Sequence, residues 1–521
     1  MCTAIYHFSA GMQENFWPLL VLSAGIFTPV GARGIVSSGL LLECLQWHGR
    51  LVCSAIMARQ SQTMKLRFFS RDDSVNKRIL RAAFIVGAVT VLVKLGTAVK
   101  DLSVARFFGR NDSLDAFLFA FMLPAFALTV LIGGVSAALV PVLVETRHKD
   151  GPAAGQQLLA SVLLLTIMAL VAAALFLGLF APLYLPYLAH NFPPAKIALT
   201  RHFVYLLVPW LILSGIATFI GYVLNSVEKF AVPALTPILT PLAILVCIAF
   251  WVRPATGFCL AVGTVAGSFL EITLLYHLAR KHELLGALRW HGFSQHVRAV
   301  LSQTAPMMAG CLLMGTNAVV DQSMAAMLPS GSVAALSYGN KVPTGLLSIG
   351  ATALSTAMLP YFSKLAAESD WAGCRHTLKR YTALTLAISV PATVFFILFS
   401  RPLVRVFFQR GAFTSLDTDL VSRVQIYYCL QIPFYTLSML FVRFLSSIRR
   451  NDLLMFGAAI NLVVNIAMNL VLMRMWGVAG IALSTSIVCC CSLCFLSICS
   501  IRLLSRQTRK ALDPVPAGGQ P

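Results

Sequence analysis

An all-α polytopic membrane protein of about 12 transmembrane helices, in two six-helix lobes related by a pseudo-two-fold axis along the membrane normal, is the fold class the sequence predicts. Three observations predict it. The 521 residues are 58% hydrophobic and 11% charged, where soluble proteins carry about 25% charged residues. Apolar segments separated by short polar breaks recur down the chain, most of them long enough to cross a hydrocarbon layer about 30 Å thick. Finally, the chain matches itself at an offset of 219 residues.

Taken in order, residues 1–64 contain Pro18, Pro29 and scattered charges but no clean span, so they read either as an extra helix or as lying before a true start at Met57 or Met64. No apolar core with a small-residue cleavage site follows a basic start, which argues against a signal peptide. The basic stretch 65–81 leads into spans at 82–108, 114–144, 157–187, 202–225, 231–252 and 257–279. A second set follows at 299–328, 334–361, 381–400, 419–447, 453–473 and 478–501. Basic residues concentrate in alternate breaks, and the positive-inside rule then places both termini in the cytoplasm. The net charge of +21 is expected to meet anionic membrane lipid, not nucleic acid. The 13 cysteines show neither metal-ligand spacing nor a secreted disulfide framework.

The repeat aligns LDAFLFAFMLPAFALTVLIGGVSAALVP from Leu114 with VAALSYGNKVPTGLLSIGATALSTAMLP from Val333 without a gap. Pro124 falls on Pro343 and Pro141 on Pro360; with one insertion, Asp101 meets Asp321. Each half holds six spans, so both repeats have the same orientation and enclose a central cavity. The expected organisation is an N-terminal extension and lead-in (1–79), a first lobe (80–280), a basic linker (281–298), a second lobe (299–503) and a tail (504–521).

Polar residues inside spans carry the functional signal, because a charge near the bilayer centre costs at least about 3 kcal/mol unless it faces protein or water. Lys94 lies near the midplane, and Lys100, Asp101 and Asp115 follow it. Lys94 and Asp101 are seven residues apart and share a helical face, whereas Lys100 is expected to point elsewhere. Lys94 snorkels to the headgroups, neutralises Asp101 within the fold, or waits for an anion in a cavity. In the second half stand Asp321, Asn340 and Lys341, the last either an interface anchor or a partner of Lys94. Asn461, Asn465 and Asn469 form a stripe at four-residue spacing. Such amides join neighbouring helices or offer oxygens to a hard cation together with Asp321. Glu271 is a further candidate for a proton or cation.

Through VARFFG, LDAFLFAFMLP, LVPVLVE, SGSVAALSYGNKVPTGLLSIGATALSTAMLPYFSK and RPLVRVFFQRGAFTSLDTDL, the chain resembles the MurJ (MviN) family of lipid II flippases, within the multidrug/oligosaccharidyl-lipid/polysaccharide exporter superfamily. The resemblance covers about residues 80–500. It implies that Lys94, Lys100 and Lys341 stand where the family has arginines for the diphosphate of an undecaprenyl-linked sugar, and that Asp101 and Asp115 match its acids. Lysine keeps the charge but lacks the planar fork that grips phosphate bidentately. The resemblance also implies a sodium site at Asp321, Asn465, Asn469, Thr485 and the Ile481 carbonyl, with Asn469 replacing a second acid. The family's basic and acidic residues in mid-helix two are absent here, where Leu128, Thr129 and Gly133 stand. Its helices thirteen and fourteen have no counterpart before the chain ends.

These readings give a transporter, not an enzyme, expected to act as a monomer without a cofactor beyond coupling to sodium ions or protons. It would flip an undecaprenyl-diphosphate-linked saccharide from inner to outer leaflet by alternating access, with lipid II or a polysaccharide repeat unit as cargo. A cation-coupled multidrug exporter shares the architecture, but cavity lysines disfavour cationic drugs. A membrane glycosyltransferase or polymerase needs a carboxylate or histidine constellation that the short breaks do not supply.

Overall fold

The computed structural model describes residues 86–512 apart from 228, 251–256, 283, 285, 287 and 449, with the side chains of 349–357, 360 and 508–512 also excluded. The expectations for residues 1–79 and for the end of the tail lie outside the described residues. The described chain is all-helical. Helix α1 spans 86–108; α2 is Asp112–Lys149, α3 Gly151–Leu179, α4 Ala181–Leu188 and α5 Pro194–Ser226. A short α6 (Ala231–Leu235) continues through a 3-10 turn into α7 (Leu239–Phe250), and α8 is Phe258–Lys281. The second half comprises α9 (Gln295–Ala326), α10 (Ser332–Gly339), α11 (Lys341–Ala367), α12 (Trp371–Leu398), α13 (Ser400–Phe408), α14 (Ser415–Cys429), α15 (Gln431–Ser447), α16 (Asn451–Trp476) and α17 (Val478–Leu512). Among the described residues, 10 spans are long and apolar enough to cross a membrane. With α1 and α11 at the first and eighth positions, twelve spans form two lobes.

Where the boundaries differ from the sequence reading, capping explains the difference. The fourth span begins at Pro194, well before residue 202, because a proline in the first turn forfeits no helical hydrogen bond. The ninth begins at Trp371, before residue 381, because the Asp370 carboxylate accepts from Gly373 N at 2.8 Å. The stretch around Arg401–Asp417 is no simple loop: it holds α13, and Thr414 with Asp417 forms a capping box that starts α14. Within the first lobe, α8 lies close against α7. A Cβ on Gly267 would collide with Thr240 Cα, and one on Gly263 would come within 2.7 Å of Ile244 Cα. This Gly-x-x-x-Gly face lets two backbones pack where side chains would hold them apart.

The hydrophobic core is shared at one end of the bundle and divided at the other. At the end carrying 109–112 and 410–413, one cluster runs across both halves, from Phe108, Phe119 and Phe203 to Ala334, Tyr338, Phe413 and Val424. At the opposite end, Leu139, Leu159, Ile220 and Leu275 form a core of the first half, and Phe362, Phe441, Phe444 and Leu504 a separate one of the second. Helix α9 packs Val297 and Val300 into the first-half core at that end, while Asp321, near its other end, bonds to α16. The buried core is therefore continuous between the halves at one end and divided into separate clusters at the other. The internal symmetry of the molecule shows in one hydrogen bond, from Ala334 N to Asp115 Oδ1 at 2.7 Å. Those residues are repeat mates, 219 positions apart, and in a two-fold arrangement only positions beside the axis touch their own mates.

Candidate functional site

Asp101 is the centre of the site. On α1 it is buried, with 8% of its surface exposed. One carboxylate oxygen takes Lys100 Nζ at 2.7 Å and the other takes Lys341 Nζ, from α11 of the second half, at 2.9 Å. Two cations from the two halves thus meet on one anion. Lys100 does not point away as its position suggested: the long lysine stem folds back round the helix to reach its neighbour. Lys94 is not part of the cluster. It lies about 10 Å further along α1, is exposed, and makes no ion pair among the described residues, so the internal Lys94–Asp101 pair does not form. Lys341 is a cross-lobe partner of Asp101 instead of an interface anchor.

A cavity of about 50 Å³ lies against this cluster, lined by Lys100, Asp101, Ser337, Tyr338 and Lys341 on its polar side and by Val104, Phe117 and Ile244 on its apolar side. The Tyr338 hydroxyl is buried there without a hydrogen-bond partner among protein atoms, and its ring packs on Phe408 and Phe413 at centroid distances of 5.2 and 5.5 Å. The sequence reading missed Tyr338 because a tyrosine in an apolar helix carries no charge signal.

Asp115 lies at the contact between the two halves. It is 1% exposed, and both oxygens face the other half: Oδ2 accepts from Gly331 N and Oδ1 from Ala334 N, both at 2.7 Å. The residue before α10 is Gly331, whose φ of +83° suits glycine and which offers no capping side chain. Asp115 supplies the missing N-cap from across the interface. Lys196 Nζ joins it at 2.9 Å and also contacts Asp112 at 2.6 Å. Further stitches lie alongside: Ala412 N donates to Arg106 O at 2.9 Å, Arg110 sits 3.2 Å from Asp417, Asn191 donates to Met327 O, and Ser330 to Asp112. Together they tie the two halves to one another at this end.

The second polar cluster brings together every residue expected there. Asp321 is 9% exposed; Asn465 and Asn469 donate to its Oδ1 at 2.9 and 2.7 Å, and the Thr485 hydroxyl reaches Oδ2 at 3.3 Å and Ile481 O at 3.2 Å. Asn461 stands apart, bonded to Ser492 at 3.2 Å, where it joins α16 to α17. The set fits a sodium ion. All its potential donors are oxygens, and the Asn469 carbonyl oxygen is buried without a partner. Rotating that amide by half a turn directs this oxygen at the carboxylate side of the cluster. Among the described residues no three His, Cys, Asp or Glu side chains gather, so one carboxylate with neutral oxygens suits a monovalent hard cation better than a transition metal.

Comparison with known proteins agrees with this architecture. The model of the family described as lipid II flippase MurJ matches residues 104–513. Among the curated relatives, the probable lipid II flippase MurJ of Vibrio cholerae is 26% identical over 435 residues, covering 80% of this chain and 81% of its own. That of Rickettsia prowazekii is 24% identical over 413 residues, covering 78% and 81%. Among solved structures, a lipid II flippase MurJ in an inward closed conformation superimposes with a TM-score of 0.70 at 23% identity, covering 82% of this chain and 91% of that one. An inward-facing multidrug resistance MATE family transporter of the MOP superfamily gives 0.65 at 12% identity, covering 82% and 99%. At these identities the structural matches establish the fold alone. The family match, spread over most of the chain, establishes more: this is a multi-pass inner-membrane transporter, and it belongs to the lipid II flippase MurJ family.

Proposed function

We propose that the chain flips an undecaprenyl-diphosphate-linked saccharide, with lipid II as the first candidate, by alternating access between the two ends of the central cavity. The observation that carries this is the convergence of Lys100 and Lys341, one from each half, on the single carboxylate of Asp101. An incoming diphosphate offers several oxygens where Asp101 offers two, so it competes for the same ammonium groups. Lys94, exposed further along α1, makes the first electrostatic contact. Asp101 then acts as the built-in competitor that reclaims Lys341 when the cargo leaves.

The end with the shared core is sealed and faces the periplasm in this reading, and the divided end and both termini face the cytoplasm, in keeping with the positive-inside distribution. Anionic lipid would gather round the basic cytoplasmic breaks, and the chain would work as a monomer. Asp321, Asn465, Asn469, Thr485 and the Ile481 carbonyl would hold a sodium ion, whose charge compensates the buried carboxylate and couples the cycle to the ion gradient. A polysaccharide repeat unit carries the same diphosphate and would engage the same lysines.

The test is flipping of labelled lipid II, and separately of an undecaprenyl-diphosphate oligosaccharide, in proteoliposomes. The Lys100→Ala/Lys341→Ala double variant is expected to lose at least about 90% of the rate, as when a charge-assisted contact is removed from each side of an anion. Undiminished transport with both lysines absent would rule out the diphosphate role.

A further inference from the structure

Lys196 has no part in the cavity, yet it is a lysine with 5% of its surface exposed, on the first turn of α5. Its ammonium lies 2.6 Å from Asp112 and 2.9 Å from Asp115, and 4.1 Å from the centre of the Phe192 ring. All four residues belong to the first half. The groups that close the gate on them, Ser330, Gly331 N and Ala334 N, belong to the second.

We infer that Lys196 is the counter-charge of the gate: it keeps the Asp115 carboxylate paired while that carboxylate caps α10, and holds it within the first half when the cap is released. In the sealed state Asp115 is 1% exposed, and two backbone amides from a helix terminus do not neutralise a buried carboxylate by themselves. Lys196 supplies the missing full charge and the Phe192 ring backs it. When the halves part, the two amide bonds break but the ion pairs remain, because both their members move together. Removing the lysine therefore penalises the sealed state, in which Asp115 is dry, more than the opened state, in which water reaches it. The equilibrium shifts toward opening at this end. Asp112, with a side chain 57% exposed, stays hydrated in both states and does not take over the role.

The experiment reads gate opening without measuring transport, so it stands or falls apart from the flipping assay. Ser332, 6% exposed at the start of α10, is replaced by Cys, and its modification by a charged maleimide is followed in lipid nanodiscs by peptide mass spectrometry, which separates it from the native thiols. Adding Lys196→Met is expected to speed labelling by about tenfold, while Lys196→Arg, which keeps the charge, stays within about threefold of the parent. Adding Asp115→Asn to Lys196→Met removes the stranded charge and is expected to bring labelling back to within about threefold of the parent. The native Cys429, fully buried, reports loss of fold. If Lys196→Met exposes Cys429 as well, recovery of its protection in the Asp115→Asn double variant supports the inference and absence of recovery overturns it. Equal labelling of Lys196→Met and parent, or equal acceleration by Lys196→Met with and without Asp115→Asn, also overturns it.

Discussion

At Asp321 a single carboxylate is enclosed by two amides and a hydroxyl, with the Asn469 carbonyl oxygen left unused. A ligand that binds only the folded protein raises its melting temperature in proportion to the logarithm of its concentration. The wild type is therefore expected to melt higher in sodium chloride than in choline chloride at equal ionic strength, and Asp321→Asn to lose that difference. An unchanged sodium dependence in the variant would remove the ion from this cluster. The contrast between Asp101 and Asp321 is instructive at this scale. They are repeat mates, but one is met by two lysines and the other by neutral amides and a hydroxyl, so the role proposed for this position is anion competitor in one lobe and cation ligand in the other. Their pairing was legible in the sequence from spacing. The direction of Lys100 was not, because a flexible four-carbon stem is not confined to the face its Cα occupies.

At the scale of elements, the helices were legible where hydropathy was uniform and misread where polar residues are helical. Lys196 shows what that concealed: in FPPAKIALTRHF the polar composition resembles a break, so the helix was expected to start at 202 and the lysine carried no intramembrane penalty. The pair of prolines before it was the signal for the earlier start. Similarly, the Asn340 corner divides an expected single span into α10 and α11, and that corner sets both Tyr338 and Lys341 beside Asp101. The packing of α7 on α8 is a property of elements too. Gly267→Leu forces those backbones apart and is expected to destabilise the first lobe by about 3 kcal/mol, at the upper end of overpacking effects, seen as a lower melting temperature in detergent. A melting temperature equal to wild type would show that the close approach at Thr240 is not required.

Across the whole molecule, one end has a core shared by both halves and the other has separate cores, and the ion pairs on Asp101 sit toward the shared end. The two-lobed plan was legible from the 219-residue repeat, because two prolines and an aspartate keep their places in both halves. The contact of Asp115 with the start of α10 was not, since it depends on backbone amides and on one glycine conformation that no residue pattern announces. In the proposed cycle the link between site and transport is competition: the carboxylate of Asp101 and the cargo diphosphate would contend for Lys341. That idea is tested most directly by measuring equilibrium binding of lipid II to wild type, Asp101→Asn and Lys341→Ala in nanodiscs. Competition predicts that Asp101→Asn binds about tenfold tighter than wild type although it flips more slowly, and that Lys341→Ala binds more weakly. Binding by Asp101→Asn no tighter than wild type would contradict it.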